Sequence, residues 1–255
     1  MSTMLSGFDP ITLDELNGSE AQLLDRTETK FLMTTDQCRM LISYLRGSYR
    51  LLTIDDSWMG RYETEYYDTQ AFLMYLQHHN GKANRFKLRF RRYLSSGMTF
   101  FEVKEKTNTG RTIKKRLETD GQVQFSEPDL QEFLHASFPY EACEFHPVLM
   151  TVYDRITLVS RDYRERITFD LNLTFRNDEE TRSYPDVVIG EIKHDRASRQ
   201  SPAIESLQTA GLREASFSKY CIGVSLLYGG VKHNRFKRKL LFLEKLSSVG
   251  GATVC

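Results

Sequence analysis

The chain has 255 residues, of which 40% are hydrophobic and 27% charged, with 35 Lys plus Arg against 34 Asp plus Glu. That length suits one large domain or two small ones, the composition excludes general disorder, and a net charge of +1 carries no global mark of a nucleic-acid binder. No apolar run reaches the roughly 18 residues of a membrane span, the first twenty residues lack a secretory leader's order, and four scattered cysteines (Cys38, Cys143, Cys221, Cys255) indicate a reducing cytoplasm.

Taken in chain order, Arg26, Glu28 and Lys30 alternate with Thr27, Thr29 and Phe31, a strand pattern. Asp36 is placed to cap a helix carrying Met40, Leu41, Tyr44 and Leu45 and ending at Gly47. Strands are predicted over 61–68, 85–91, 99–106 and 111–117. Gly97 and the run Asn108-Thr109-Gly110 supply the hairpin turns between the last three. The pair His78-His79 reads as a polar loop, because neighbouring strand or loop side chains point apart and no HExxH spacing accompanies them. Ser126 and Pro128 read as the cap and first turn of a helix carrying Leu130, Phe133 and Leu134. Strands follow over 164–173 and 186–193. Ser201 and Pro202 then open a helix with Ile204 and Leu207. A last helix carries Leu240, Leu241, Leu243 and Leu246, with the basic run Lys232 to Lys239 on its polar side. No Pro-, Gly- or Ser-rich linker interrupts the chain, so one compact α+β domain built mainly on antiparallel sheet is expected.

The balanced net charge hides an uneven distribution. Between Lys82 and Arg116 twelve cations face only Glu102 and Glu105, which makes that segment +10 and leaves −9 for the rest. Because strand side chains alternate, Arg85, Lys87, Arg89 and Arg91 share one face and Phe86, Leu88 and Phe90 the other. The same division separates Glu102, Lys104 and Lys106 from Phe101 and Val103, and Lys114 and Arg116 from Ile113 and Leu117. It separates Arg164, Arg166, Thr168 and Asp170 from Ile167, Phe169 and Leu171, and Glu191 and Lys193 from Ile192. In any one strand this is an ordinary solvent-facing sheet surface. Repeated over five or six strands, it fits a sheet curled into a barrel with its charged face inward, where a polyanion would balance the cations. Arginines at alternate positions suit oligophosphate, and isolated carboxylates suit its divalent metal. Neither a Walker loop nor a G-x-G-x-x-G fingerprint is present. Cys38 lies on a helix face and reads as a small buried hydrophobe.

The run Arg26-Thr27-Glu28-Thr29-Lys30-Phe31 resembles the R-x-E-x-K-[FY] opening of the polyphosphate polymerase (VTC) domain of vacuolar transporter chaperone proteins. These belong to the triphosphate tunnel metalloenzymes of the wider CYTH superfamily. The resemblance continues in order through Tyr62-Glu63-Thr64-Glu65-Tyr66-Tyr67-Asp68-Thr69, Lys87-Leu88-Arg89-Phe90-Arg91-Arg92-Tyr93, Phe101-Glu102-Val103-Lys104-Glu105-Lys106 and Lys114-Lys115-Arg116. It extends through Tyr153-Asp154-Arg155, Arg164 to Asp170, Glu191-Ile192-Lys193 and Phe217-Ser218-Lys219-Tyr220, and spans about residues 24 to 228.

The resemblance implies an antiparallel β-barrel, a tunnel of about eight strands with flanking helices, over residues 24–230. Residues 1–23 would be an N-terminal extension and 231–255 a basic C-terminal helix and tail. It implies a polyphosphate polymerase that transfers the γ-phosphoryl of ATP to a growing inorganic polyphosphate. Lys30, Arg89, Arg91, Lys104 and Arg166 would act at the reacting phosphates, and Lys87, Lys114, Arg155, Lys193, Ser218 and Lys219 would bind the chain. Glu191 would hold Mn²⁺ or Mg²⁺, with Glu28 and Glu102 as weaker candidates. Partners would be ATP and polyphosphate or triphosphate, and a separate membrane protein where polymer is delivered across a membrane, with no nucleic acid. A metal-dependent triphosphatase of the same fold and a non-catalytic polyphosphate- or nucleotide-binding module are the alternatives. Arg26 departs from the Glu-x-Glu-x-Lys opening of hydrolytic tunnel enzymes, which favours the polymerase branch.

Overall fold

Period-2 alternation and β-branched or aromatic residues through the middle of the chain produce the strands they predict. In the computed structural model, which describes residues 5–18, 26–121, 124–141, 144–195 and 201–250, eleven strands form one sheet. They are β1 (Pro10–Thr12), β2 (Arg26–Thr34), β3 (Tyr49–Thr53), β4 (Gly60–Asp68), β5 (Arg85–Tyr93) and β6 (Thr99–Lys106). The chain continues with β7 (Thr112–Glu118), β8 (His146–Ser160), β9 (Glu165–Arg176), β10 (Thr181–Tyr184) and β11 (Val187–Asp195). Eight of them run in the order β2-β11-β9-β8-β4-β5-β6-β7, each antiparallel to its neighbour. β3 and β10 are side branches on β8 and β9, and β1 pairs parallel with β3. The helices are α1 (Leu13–Gly18), α2 (Thr35–Leu45), α3 (Leu73–His79), α4 (Pro128–Ser137), α5 (Pro202–Thr209), α6 (Lys219–Leu227) and α7 (Lys237–Gly250).

The α+β class and the eight-strand path agree with expectation. The closure differs from a fully hydrogen-bonded barrel. Among the described residues β2 and β7 do not pair, and the seam is crossed instead by the segment entering α6. Ala215 N donates to Lys30 O at 2.7 Å, Phe31 bridges to Glu214, and Lys87 Nζ donates to Ser218 Oγ at 2.9 Å.

The convex face of the sheet is apolar and covered. Leu88, Phe90, Phe101, Val103, Leu149 and Phe175 pack with Tyr220, Ile222 and Val224 of α6. Phe31, Met33, Ile167, Phe169 and Ile192 pack with Cys38, Leu41, Ile42 and Leu45 of α2. Burying each such side chain is worth about 1.5–3 kcal/mol. Gly223 sets how closely α6 lies on the sheet: a Cβ there would meet Leu149 Cδ2 at 2.6 Å and Phe175 Cδ1 at 2.7 Å. Asp68, fully buried, caps α3 from five residues upstream, accepting from Met74 N and Tyr75 N at 2.9 Å each and from the Tyr220 hydroxyl. This motif position therefore joins α3 to α6, rather than contacting a ligand.

Several local expectations are corrected. The cap of α2 is Thr34, in a reciprocal capping box with Gln37, and Asp36 sits in the first turn. The buried face of α2 is Cys38, Leu41, Ile42 and Leu45, spaced i, i+3, i+4, i+7. Met40 and Tyr44 are exposed. Glu127, not Ser126, occupies the cap position of α4, with Pro128 in the first turn as expected. Ser201 caps α5 through Ile204 N at 3.0 Å. His78 and His79 close α3 rather than forming a loop, and His79 is buried beside Phe236. In α7 Leu243 packs inward but Leu241 is 61% exposed, because the helix buries a narrower stripe than the leucine run suggests. Ile113 on β7 is also exposed, although α4 touches that edge strand, where Lys115 Nζ donates to Ala136 O at 2.9 Å. Cys38 and Cys221 are buried thiols, and burial pushes that of Cys38 up to about 12. Cys143 and Cys255 lie outside the described residues. No described helix is long and apolar enough to cross a membrane.

Candidate functional site

Cross-strand register puts the charged positions of successive strands side by side on the concave face. Arg89 stands opposite Glu102 and Lys87 opposite Lys104, while Lys104 is also opposite Lys114. On the other flank Arg155 stands opposite Asp170, Glu191 opposite both Thr168 and Lys30, and Lys193 opposite both Arg166 and Glu28. The ordinary solvent-facing surface is ruled out by burial: side-chain exposure is 7% for Arg89 and 0% for Glu102. The charged face is the lining of a lumen, and the curl brings opposite flanks within electrostatic reach. Lys104 of β6 feels Glu191 of β11, and Lys87 of β5 feels Lys30 of β2.

Three buried or half-buried carboxylates are distributed through this lining, each held by two cations. Glu102 accepts from Arg89 Nε at 2.5 Å and from Lys114 Nζ at 3.2 Å. Asp170 accepts two bonds from Arg155, Nε at 2.6 Å and Nη2 at 2.8 Å, and a third from Lys219. Glu191 lies 3.2 Å from Lys30 and 2.5 Å from Lys193. Glu28, more exposed, pairs with Lys30 at the seam. Burial alone would raise each buried carboxyl. Arg89, Arg91, Lys114 and Lys104 outweigh it at Glu102, Lys193, Lys30 and Arg155 at Glu191, and Arg155 and Lys219 at Asp170, which is lowered to about 2.

The cations exceed what these carboxylates can neutralise. Repulsion from Arg89, then burial, then Arg91 hold the Lys104 ammonium well below its ordinary range. Burial lowers Lys30 and Lys87 in the same direction. Arg91 donates to Thr64 Oγ1 at 3.1 Å and lies 5.8 Å from the centre of the Tyr62 ring. Arg166 shares the lumen face beside Lys193.

Two hydroxyls sharpen the picture. Among the described residues Tyr153 Oη and Thr168 Oγ1 are buried without a hydrogen-bond partner. Burial raises the Tyr153 phenol, but Arg91, Arg155 and Lys219 outweigh it and leave it lowered overall. A buried O–H with no acceptor, beside surplus cations, fits the oxygens of an oligoanion.

The lumen therefore brings together Lys30, Lys87, Arg89, Arg91, Lys104, Arg155, Arg166, Lys193 and Lys219, with Glu102 and Glu191. Lys114 reaches it from the edge with its side chain 40% exposed, and Ser218 borders it as the cap of α6. The side chain of Arg26 is not among those described. Tyr62, Tyr153, Thr168 and Asp170 had no assigned role from sequence. Thr168 and Asp170 share the alternation of Arg166, which is the signal that would have found them.

No group of three or more His, Cys, Asp or Glu among the described residues is arranged as a metal cage. The donor set instead suits a hard divalent cation held by one carboxylate plus phosphate oxygens, the mode Mg²⁺ commonly adopts. Glu191 faces the lumen with one oxygen engaged by Lys30 and the other by Lys193.

The VTC domain family model matches residues 25–228. No curated protein matches the chain. Among solved structures, a candidate adenylate cyclase from Bacillus halodurans aligns with a TM-score of 0.52 at 13% identity, covering 80% of this chain and 98% of that one. A candidate adenylyl cyclase from Hippeastrum, HpAC1, described as having a dominant triphosphatase activity, aligns with a TM-score of 0.46 at 13% identity. That alignment covers 78% of this chain and 94% of the other. The Bacillus halodurans structure is similar in fold.

Proposed function

This chain belongs to the VTC domain family, and from that premise we propose that it transfers the γ-phosphoryl of ATP to the end of a growing inorganic polyphosphate held in the lumen. The observation that carries this reading is the buried surplus of cations together with the unpartnered hydroxyls of Tyr153 and Thr168. Phosphoryl transfer asks little covalent chemistry of a protein. It needs the reacting oxygens in line and the charge on the transferring group neutralised.

Each part of that task has residues suited to it. Arg89, Arg91 and Lys104 on one wall and Lys30 and Arg166 on the other would clamp the reacting phosphates. Lys87, Lys114, Arg155, Lys193, Ser218 and Lys219 would align the chain on either side. Glu102 engages both Nε and Nη2 of Arg89 and so fixes the orientation of that guanidinium. Mn²⁺ or Mg²⁺ would be held by Glu191, with Glu28 and Glu102 as secondary carboxylates. When bound, the ion neutralises charge on the phosphate oxygens.

The state of the carboxylates favours transfer to phosphate over hydrolysis. Water must lose a proton to attack, and Glu102, Asp170 and Glu191 are all depressed in pKa and engaged by cations, which makes them poor general bases. The end of a polyphosphate is already an oxyanion and needs no base. Incubation with ATP and Mn²⁺ followed by gel electrophoresis tests this: polyphosphate should accumulate with ADP. Free phosphate without polymer would show a triphosphatase, and saturable binding without turnover would show a binding module.

A further inference from the structure

The lumen holds only part of the chain's surplus of cations, and a second concentration of them faces outward. Between Lys232 and Lys245 six Lys and Arg stand against one carboxylate, Glu244. Two of the six are engaged within the fold: Lys239 Nζ donates to Ser216 Oγ at 2.5 Å, and Arg235 Nη1 donates to His79 O at 3.1 Å. Glu244 is engaged too, accepting from the Tyr184 hydroxyl at 2.8 Å. Lys237, Arg238 and Lys245 are exposed, and none of them is in an ion pair among the described residues.

Helix α7 buries one stripe of its surface. Leu243 is fully buried and Leu240 and Leu246 partly so, packed on the core that α7 shares with α6, β2 and β11. Side chains three and four positions apart share a helix face. Lys237, Leu241 and Lys245 therefore run along the outer side, with Arg238 and Phe242 in the row beside them. Leu241 is 61% exposed and Phe242 43%. The exposed Met40 and Tyr44 of α2 make a useful contrast, because the charges of that helix balance in the Asp36–Arg39 pair. Single exposed apolar residues are ordinary; a leucine and a phenylalanine side by side among unpaired cations form a patch of defined chemistry.

We propose that the outer face of α7 docks on an anionic membrane surface, with Leu241 and Phe242 entering the headgroup region and Lys237, Arg238 and Lys245 meeting lipid phosphates. Stable interfacial attachment takes two signals, an apolar anchor and a basic rim, and this face carries both. A nucleic acid would answer the cations but leave the two apolar side chains in water. A second copy of this chain would set the same cations against their own images. The proposal is independent of the reading of the lumen.

Flotation with lipid vesicles tests it. The protein should float with vesicles of phosphatidylcholine and phosphatidylserine and not with phosphatidylcholine alone. Raising NaCl from about 0.1 M to about 1 M, which shortens the Debye length from about 10 Å to about 3 Å, should release it. The double variant Leu241→Ser, Phe242→Ser and the triple variant Lys237→Gln, Arg238→Gln, Lys245→Gln should each lower vesicle partition roughly tenfold, since each removes one of the two signals. Both sets change exposed side chains only, so the melting temperature should stay at the wild-type value. Absence of flotation with the phosphatidylserine vesicles overturns the proposal. Full flotation of the serine variant also overturns it and marks a purely electrostatic surface, as for a nucleic acid. A concentration-dependent dimer that the serine variant abolishes would instead assign the face to a second copy.

Discussion

Two arginines of β5, three positions apart, make ion pairs of opposite character on the two faces of one sheet. Arg92 points outward and meets Glu63 at 3.5 Å, with side chains 33% and 24% exposed. Arg89 points inward and binds Glu102, with exposures of 7% and 0%. The outer pair is matched one to one and partly hydrated, the kind of contact worth at most about 1 kcal/mol. The inner pair lies among Arg91, Lys104 and Lys114, so its carboxylate answers several cations and cannot balance them. An unbalanced buried charge costs stability unless a ligand completes it, and that contrast separates a binding surface from a stabilising one.

The contrast can be tested by removing its members. Glu102→Gln should have the largest effect, destabilising the ligand-free protein by about 3–5 kcal/mol, because Arg89 loses its partner in a buried site. Tripolyphosphate should restore more of the lost melting temperature in this variant than it adds to wild type, as thermal unfolding would show. Arg91→Ala should lower kcat/KM for polymer formation on the order of a hundredfold or more, with an unchanged far-ultraviolet spectrum. A fully active or unfolded variant would contradict the assignment of Arg91 to the lumen. Lys104→Met should raise the melting temperature of the ligand-free protein by relieving repulsion, while weakening tripolyphosphate roughly tenfold, about 1.4 kcal/mol.

The same repulsion predicts a pH dependence. Lys30, Lys87 and Lys104 are lowered by burial and by their neighbouring cations, and a bound polyanion would raise them, so binding should take up protons. Affinity should therefore fall as pH rises from their lowered values toward the ordinary lysine range near about 10.4. Calorimetry in buffers of different ionisation enthalpy would read the uptake, and its absence would count against a crowded lumen. Arg92→Ala, on the outer face, should change stability by less than about 0.5 kcal/mol and leave binding unchanged.

How much of this was legible in the sequence follows from the same geometry. The alternation of Arg85, Lys87, Arg89 and Arg91 with Phe86, Leu88 and Phe90 is a one-dimensional signal, and so are the turns at Gly97 and Gly110, which take φ of 69° and 81°. Strand β8 was not predicted over its fifteen residues: its run Ile156–Ser160 is buried without a break, so the period-2 signal disappears. Helix α6 is buried nearly all round and gives no amphipathic period either. The partners of Asp170 come from β8 and α6, and the crossing of the seam by residues 214–218 depends on three-dimensional proximity that no local pattern encodes. Tyr153 stands inside the Tyr153-Asp154-Arg155 motif, but only the structure shows its hydroxyl buried without a hydrogen-bond partner.

The most direct measurement is a crystal structure with a non-hydrolysable ATP analogue and Mn²⁺. The account predicts phosphate oxygens inside the lumen, within hydrogen-bond reach of Arg91, Tyr153 Oη and Thr168 Oγ1. An analogue seated outside the lumen, with those hydroxyls bound to ordered water, would contradict it.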